Sequence, residues 1–521
     1  MRYYGIIRKR YIEKTIYSIV KLKYFCSQYA TLDKEKRDRR KSSYIRNFVE
    51  PHQFIVENLA IPEGKYYTPI CIITSDLVLR ENISQLKSGL IKLLKKQYSH
   101  KFLGGHRSID EILRNIENMD DTLTSWYDWI DIGRFDFEKD STLNQAISYF
   151  DVYIKNVNSS YLSMEYHLYL ADNYQREQIQ IINNDYVNIR GYIIPGFTQN
   201  RKISGGKRSY NVGHYNNAHL KSDLIYENIS ILKWRFYNKI QKYFPTILHQ
   251  KNVNPPSINI YKTNINYAEE TTRHFWDSVG ISSYQGQFID ESRKLFFKTN
   301  LSGRYERNNR TDLIYVVNEL TMEHELGYYS IDFQIVHEFA ENISTNIFKF
   351  VLLHAFNELV TNDLISYKLN LNKIKLIKNR LHKLLKLRYL YEKDIDFYRR
   401  YVCDDIWEKA QNKIAHVFEG KKLHRSYDYR VLTDSPVASK SKITKQIGDL
   451  CAEFNEKTSI LQHLEAYKNE NRNRIINFIM LVLTMATIIF IIFPELSKDV
   501  AKFLLYIWNF IKDILIGSKV L

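Results

Sequence analysis

One stretch near the end of the chain, Ile475 to Phe493, contains nineteen consecutive residues without a charged residue, glycine or proline. In an α-helix a segment of this length spans roughly 28 Å, close to the roughly 30 Å hydrocarbon thickness of a bilayer. A helix in the core of a soluble domain is more often shorter and interrupted by polar residues. The pattern therefore predicts a transmembrane helix.

The residues that precede this stretch have the hydrophobic periodicity of a packed helix. Apolar side chains recur mainly at spacings of four and three, with Lys457 as a break. A helix that continues from Ser439 to Phe493 would be roughly 80 Å long. The pattern predicts a stalk helix that enters the membrane directly and packs on helices of the same or another subunit. The seam consists of Ile443, Ile447, Leu450, Phe454, Leu461 and Leu464.

Positive charge borders the apolar stretch on its N-terminal side, at Lys468, Arg472 and Arg474. Because basic residues flank membrane helices on the cytosolic side, the preceding domains are expected in the cytosol.

A second apolar segment, Phe503 to Ile511, is short. It fits either a helix that lies in the membrane interface or a second transmembrane helix with a polar side. The short loop between the two segments favours a hairpin with spans at 475–493 and about 500–517, and both chain ends in the cytosol. The polar side consists of Lys502, Tyr506, Asn509 and Asp513.

Upstream, short β-branched runs alternate with helical patterns. The predicted strands are Ile70–Thr74, Tyr161–Leu170, Asp185–Ile194, Ser257–Lys262 and Leu313–Val317, and the predicted helices include Ile83–Tyr98 and Ile109–Trp129.

The predicted fold class is an α/β N-terminal cytosolic domain followed by a helical stalk and a C-terminal two-helix transmembrane domain. The expected boundaries are a basic amphipathic arm at 1–49, a mixed α/β domain at 50–335, a helical domain with the long stalk helix at 336–474, and a transmembrane hairpin at 475–521.

Positive charge is concentrated in the N-terminal arm. The chain has a formal net charge of +17, and residues 1–49 carry 14 Lys or Arg against 4 Asp or Glu, a net charge of +10. Such an arm suits anionic lipid or nucleic acid, and the apolar stretch favours lipid. A helix packed on its own domain with a charged outer face fits the pattern equally well.

The cysteines, Cys26, Cys71, Cys403 and Cys451, form no CxxC pair, which predicts a body in a reducing compartment. The sequence has no HExxH, GxSxG or dinucleotide-binding glycine motif. We therefore expect a protein that is not an enzyme and has no resident cofactor, and the sequence assigns no metal ligands.

Residues Gly196 to Asn217 are rich in glycine, asparagine and basic residues, which predicts a loop. It is not a Walker A loop, because Arg208 occupies the position where Ser or Thr is required. The loop either closes over an anionic ligand or is simply solvated. The candidate ligand contacts, chosen by their charge, are Arg201, Lys202, Lys207 and Arg208.

Polar and flexible residues follow one helix face within the apolar stretch. Asn477, Met480, Leu483 and Thr484 give the pattern N-x-x-M-x-x-L-T, and Thr487 lies one turn further. Polar groups in hydrocarbon favour contact with other helices or with water. This pattern resembles the first transmembrane helix of the CorA family of divalent-cation channels. The resemblance implies a homopentamer with a pore lined by Asn477, Met480, Thr484 and Thr487.

One departure from the CorA pattern follows the first membrane helix. CorA channels carry Gly-Met-Asn there, which selects hydrated Mg²⁺, whereas this chain has PELSKD at residues 494–499. Selective Mg²⁺ transport is therefore not expected.

The missing triplet and the large cytosolic domain are similar to CorA-like proteins encoded beside type III CRISPR systems. That resemblance implies an effector in the bacterial inner membrane. It is opened by a nucleotide second messenger, SAM-AMP (S-adenosylmethionine joined to AMP). The partners are then the lipid bilayer and the nucleotide, without direct nucleic-acid binding. The alternatives are a divalent-cation transporter, with Mg²⁺ as cargo, and a tail-anchored scaffold without a pore.

Overall fold

A computed structural model provides the fold. The predicted N-terminal arm lies outside the residues it describes, which are 61, 63–95, 109–117, 129–137, 142–158, 160–184, 190–195, 210–215, 217–264, 286–290, 295–299, 312–319, 330–339, 345–374, 380–402, 410–412, 430–492, 501–503, 505–506 and 509.

The described strands are β1 (Tyr67–Leu79), β2 (Trp129–Phe135), β3 (Ile147–Asn156), β4 (Tyr161–Leu170), β5 (Arg190–Pro195), β6 (Tyr210–Tyr215), β7 (Ser257–Thr263), β8 (Gly286–Asp290), β9 (Leu295–Thr299) and β10 (Asp312–Asn318). The described helices are α1 (Ile83–Lys95), α2 (Ile109–Glu117), α3 (Asp172–Asn183), α4 (Asn217–Ile240), α5 (Ile247–Gln250), α6 (Ile331–Phe339), α7 (Thr345–Lys373), α8 (Leu381–Val402) and α9 (Arg430–Ile492). A 3₁₀ turn, Arg80–Asn82, joins β1 to α1.

Eight strands form one mixed sheet in the order β2-β3-β4-β1-β7-β10-β9-β8, and β5 pairs with β6 in a separate two-stranded sheet. Within the large sheet β10 is parallel to β7, and the other neighbouring strands are antiparallel. Every residue of β4 is buried, which explains its nearly continuous run of large side chains.

One face of the sheet packs on α4. Phe236 lies edge-on against Phe150 of β3 and Tyr166 of β4, with ring centroids 5.3 and 5.0 Å apart. Edge-to-face contacts of this kind stabilise an apolar core beyond the area that they bury.

The other face of the sheet packs on α6 and α7. Tyr315 of β10 lies against Phe339 of α6 at 4.3 Å, and Tyr161 of β4 lies edge-on to Phe356 of α7 at 6.3 Å. The predicted α/β domain is therefore confirmed as a sheet with helices on both faces, followed in the chain by helices.

The chain divides into two compact units. The first comprises Met1–Asp363 and Asp396–Thr444, and contains the sheet; the second comprises Leu364–Ile395 and Lys445–Leu521.

Within the second unit, α9 packs on α7 and α8. Tyr391 of α8 lies 5.0 Å from the ring of Phe454, and the ammonium of Lys457 lies 3.4 Å from the carbonyl oxygen of Leu371 in α7. The seam predicted from the sequence is buried at Ile447, Leu450, Phe454 and Leu461. The break in the seam at Lys457 is thus occupied by a side chain that reaches the backbone of α7.

Two sequence predictions are wrong at their ends. The helix predicted over Ile109–Trp129 is described over Ile109–Glu117, and Trp129 begins β2. The alternating residues from Trp129 to Ile132 fit a strand with one buried face. The loop predicted over Gly196–Asn217 contains strand β6, because Tyr210–Tyr215 pairs with Arg190–Pro195.

Candidate functional site

The apolar stretch forms the C-terminal end of α9. Among the described residues, α9 is the one helix long and apolar enough to cross a membrane. Of the 18 consecutive residues that make up its apolar part, only 6% are buried. Phe478 and Ile491 are largely exposed. The helix therefore has the length and the outward apolar surface that a membrane span requires.

The apolar part of α9 has a covered face and an uncovered face. Ala486 is buried, and Ile479 and Val482 on the same side are half-buried. The four predicted pore residues lie together roughly 150° around the helix from this side. All four residues are exposed: Asn477, Met480, Thr484 and Thr487.

The threonine hydroxyls of this face are satisfied by their own helix. Thr484 donates to the carbonyl oxygen of Met480, and Thr487 donates to that of Leu483, both at 2.8 Å. The Asn477 carboxamide forms no hydrogen bond with any residue that the structure describes. Because an unsatisfied amide is costly in an apolar environment, Asn477 is the group of this face that requires water or another chain.

Basic side chains border the apolar stretch as the sequence predicted. Arg472 and Arg474 are exposed, and Arg474 forms a 2.6 Å ion pair with Glu470 one turn earlier.

The remaining predicted site residues are mostly beyond the described ranges. The basic residues Arg201, Lys202, Lys207 and Arg208 fall between β5 and β6 in the chain and outside those ranges. In the second apolar segment, the described residues Lys502, Tyr506 and Asn509 are helical and exposed.

A cluster of charged side chains that no sequence pattern predicted lies on the sheet face that packs on α6 and α7. Arg134 of β2 holds Asp151 of β3 with both ends of its guanidinium, at 2.8 and 3.0 Å. The guanidinium carbon lies 3.9 Å from the ring centre of Tyr149, and burial raises the pKa of Tyr149 to about 12. The rings of Tyr169 and Phe333 lie 5.5 and 5.3 Å from the same carbon, so aromatic rings flank the ion pair and partial burial strengthens the cation–π contacts.

Glu165 of β4 is the centre of the second half of the cluster. Its Oε1 accepts from Lys155 at 2.9 Å and from His167 at 2.7 Å. Burial alone would raise the pKa of Glu165, but the Lys155 ammonium and the His167 hydrogen bond lower it. Glu165 is therefore ionised at neutral pH, although its side chain is fully buried.

These charges fix the pairing of the strands. Glu165 lies opposite Tyr153 of β3 and Ser75 of β1, and a one-residue slip would move the charges to the apolar face. The signal in the sequence is a polar residue at alternating positions of the predicted strand, Ser163, Glu165 and His167. Among the described residues, no group of three or more His, Cys, Asp or Glu side chains could hold a metal ion.

Comparison with known proteins adds no relative. The chain matches no protein-family model, and no curated protein matches it.

Proposed function

We propose that this chain is a CorA-like membrane effector of type III CRISPR antiviral defence. A nucleotide second messenger of the SAM-AMP type binds the cytosolic α/β domain, and the apolar ends of α9 from several copies then open or disrupt the inner membrane.

The observation that carries this proposal is the continuity of α9. One helix of 63 residues contains both the buried seam and the apolar stretch, so a change in packing along the seam moves the apolar end without an intervening loop. The α7–α8 pair against which the seam packs is the element that such a change would shift.

The uncovered face of the apolar stretch supports a role beyond anchoring. Asn477 needs a partner that its own helix does not supply, and neighbouring copies or pore water would satisfy it. In this proposal the copies form a homopentamer, the chain crosses the membrane twice, and both ends lie in the cytosol.

Gating follows from unequal binding. A messenger that binds two arrangements of the cytosolic domain with equal affinity shifts nothing, whereas a roughly 10⁴-fold preference converts a 1:99 mixture into 99:1. The candidate contacts for its phosphodiester are Arg201, Lys202, Lys207 and Arg208.

The decisive experiment combines binding and leakage. The full chain is reconstituted in liposomes of phosphatidylcholine and phosphatidylglycerol loaded with a small dye, and SAM-AMP and a panel of other nucleotide messengers are added. We expect SAM-AMP to bind the protein and to cause release of the dye. AMP alone and S-adenosylmethionine alone should do neither. Absence of both binding and release across the panel would refute the effector.

A tail-anchored scaffold is the second candidate. The observation that favours it is that Thr484 and Thr487 already bond to their own helix, as in a span that crosses lipid alone. Binding of the messenger without leakage would support this candidate.

A further inference from the structure

An uncharged face continues from the membrane part of α9 into the stalk. Its positions follow steps of three and four residues and therefore share one side of the helix. They are Gly448, Cys451, Asn455, Ser459, Gln462, Ala466, Asn469, Asn473, Asn477, Met480, Thr484 and Thr487. Over this distance the helix rises about 58 Å.

The uncharged face is uncovered along its length. All of its residues are exposed except Cys451, which is half-buried, and a Cβ atom added to Gly448 would meet no atom within 4 Å. The buried seam lies about 120° around the stalk from this face, and it packs on α8 through Tyr391. The uncharged face is thus open over both the stalk and the apolar stretch, and the exposed row beside it, which includes Asp449, Glu456, Glu470 and Arg474, is charged.

The absence of charge on this face is selective. Ten of the thirty residues from Lys445 to Arg474 are charged, and none of them is among the eight positions of the face in that range. The nearest charges along one edge, Glu470 and Arg474, pair with each other at 2.6 Å. A helix face that merely contacts cytosolic water has no reason to exclude charge, so a different environment is indicated.

We infer that the uncharged face of α9 is the surface around which copies of this chain assemble in parallel, and that it lines a conduit with no charge selectivity. The inference rests on the proposed function and adds the stalk lining and the class of solute. Rings of acidic or basic side chains select cations or anions, and this face has neither. Its carboxamides offer both N–H donors and carbonyl acceptors, so they can face small ions of either sign.

Cross-linking tests the assembly. The background carries Cys26→Ser, Cys403→Ser and Cys451→Ser, and it keeps Cys71, which is buried. In this background Ser459→Cys lies on the uncharged face, and the adjacent Ile460→Cys, also exposed, lies about 100° away around the helix. The full chain is reconstituted in phosphatidylcholine–phosphatidylglycerol vesicles and treated with a short bismaleimide. We expect Ser459→Cys to form cross-linked oligomers and Ile460→Cys to remain monomeric on denaturing gels. Equal cross-linking of the two variants, or none in Ser459→Cys, overturns the inference.

Thiol reactivity tests the charge of the conduit. Asn473→Cys in the same background is treated with a cationic and an anionic methanethiosulfonate reagent. The ratio of their reaction rates, each divided by the rate with a free thiol in solution, should lie within about threefold of one. Adding Asn469→Asp should favour the cationic reagent by about tenfold or more, because each copy contributes a carboxylate to one ring. At about 0.15 M salt, which screens charges over about 8 Å, a single carboxylate one helical turn away changes the ratio only about threefold.

The matched control is Asn471→Asp, which places the same charge on the other side of the helix. It should change the ratio of the two rates by no more than about threefold. A strong preference for either reagent in the parent, or an effect of Asn469→Asp no larger than that of Asn471→Asp, overturns the conduit. Neither measurement needs an activating nucleotide, so failure of the leakage assay alone counts against the proposed function and not against the assembly of this face.

Discussion

The hydroxyl of Tyr391 in α8 donates a hydrogen bond of 2.8 Å to the carbonyl oxygen of Ile447 in α9, and both groups are buried. Because this bond joins the α7–α8 pair to the seam, it contributes to the packing on which the proposed coupling depends. Tyr391→Phe should reduce the free energy of unfolding by about 1 kcal/mol, measured by urea titration of the detergent-solubilised protein. Tyr389→Phe, which alters an exposed side chain, should leave it unchanged within about 0.5 kcal/mol. Equal effects of the two substitutions would argue against the bond.

The buried pair of Lys155 and Glu165 should be far more sensitive to loss of one partner than to loss of both. Glu165→Gln removes the carboxylate that the Lys155 ammonium contacts at 2.9 Å and should destabilise by about 3–5 kcal/mol. The double variant Lys155→Met/Glu165→Leu removes both charges and should be closer to the parent. The check is a double-mutant cycle of unfolding free energies built from Lys155→Met, Glu165→Leu and their combination; additive effects would show that the two side chains do not interact.

The sequence predicted elements wherever one periodicity governs a segment. Strand β4 has the predicted bounds Tyr161–Leu170, and the predicted seam of α9 is buried at Phe454 and Leu461, because a repeat of two or of three and four residues is set by the geometry of strand or helix. Helix α9 begins at Arg430, nine residues before the predicted start at Ser439.

The charged cluster could not be predicted with the same rules. Polar residues at alternating positions ordinarily mark the solvent face of a strand, whereas Glu165 and His167 are buried because α6 and α7 cover that face and because Lys155 on the neighbouring strand neutralises the charge. Burial of this kind depends on partners distant in sequence, such as the 2.8 Å contact of Arg134 with Asp151. Strand β6 was also not predicted. The glycine and asparagine residues between β5 and β6 favour a loop, and its pairing with β5 depends on a partner about twenty residues away in the sequence.

Acidification should destabilise the protein through His354 of α7. Burial lowers the pKa of His354 to about 4, and its Nδ1 is buried without a hydrogen-bond partner among the described residues. The unfolded chain binds the proton near pH 6.5 and the folded chain near pH 4, so stability falls between these values, by up to about 3 kcal/mol. Burial raises the pKa of Asp76 to about 6, which acts in the opposite direction over pH 4 to 6.

The contribution of His354 is therefore measured as a difference between variants. Between pH 6.5 and 4 the melting temperature of His354→Phe should fall less than that of the parent, because the phenyl ring takes up no proton. His382→Gln, at an exposed position of α8, should show the same fall as the parent. A parallel pH dependence of His354→Phe and the parent would show that the ring is protonated equally in the folded and unfolded chains.

Two helical glycines should respond to alanine with opposite signs. Gly89 of α1 lies against the backbone of Tyr243, and a Cβ atom there would collide with the Tyr243 carbonyl. Gly89→Ala should therefore destabilise by about 1–3 kcal/mol through overpacking. Gly448 of α9 has open space around it, so Gly448→Ala should stabilise by about 0.5–1 kcal/mol through helix propensity. Thermal unfolding of the two variants in detergent compares the signs directly.

Asn477 and Thr484 lie on the same uncovered face of α9, yet only the amide of Asn477 has no partner within its own helix. Asn477→Leu should lower messenger-induced leakage by about tenfold or more, because an apolar ring at that level favours dewetting. Thr484→Val should change leakage less, since the Thr484 hydroxyl proton is already held by the Met480 carbonyl at 2.8 Å. Both variants should bind the messenger with the affinity of the parent, because the altered side chains belong to the apolar stretch. Unchanged leakage in Asn477→Leu, with binding intact, would exclude this face from the pore.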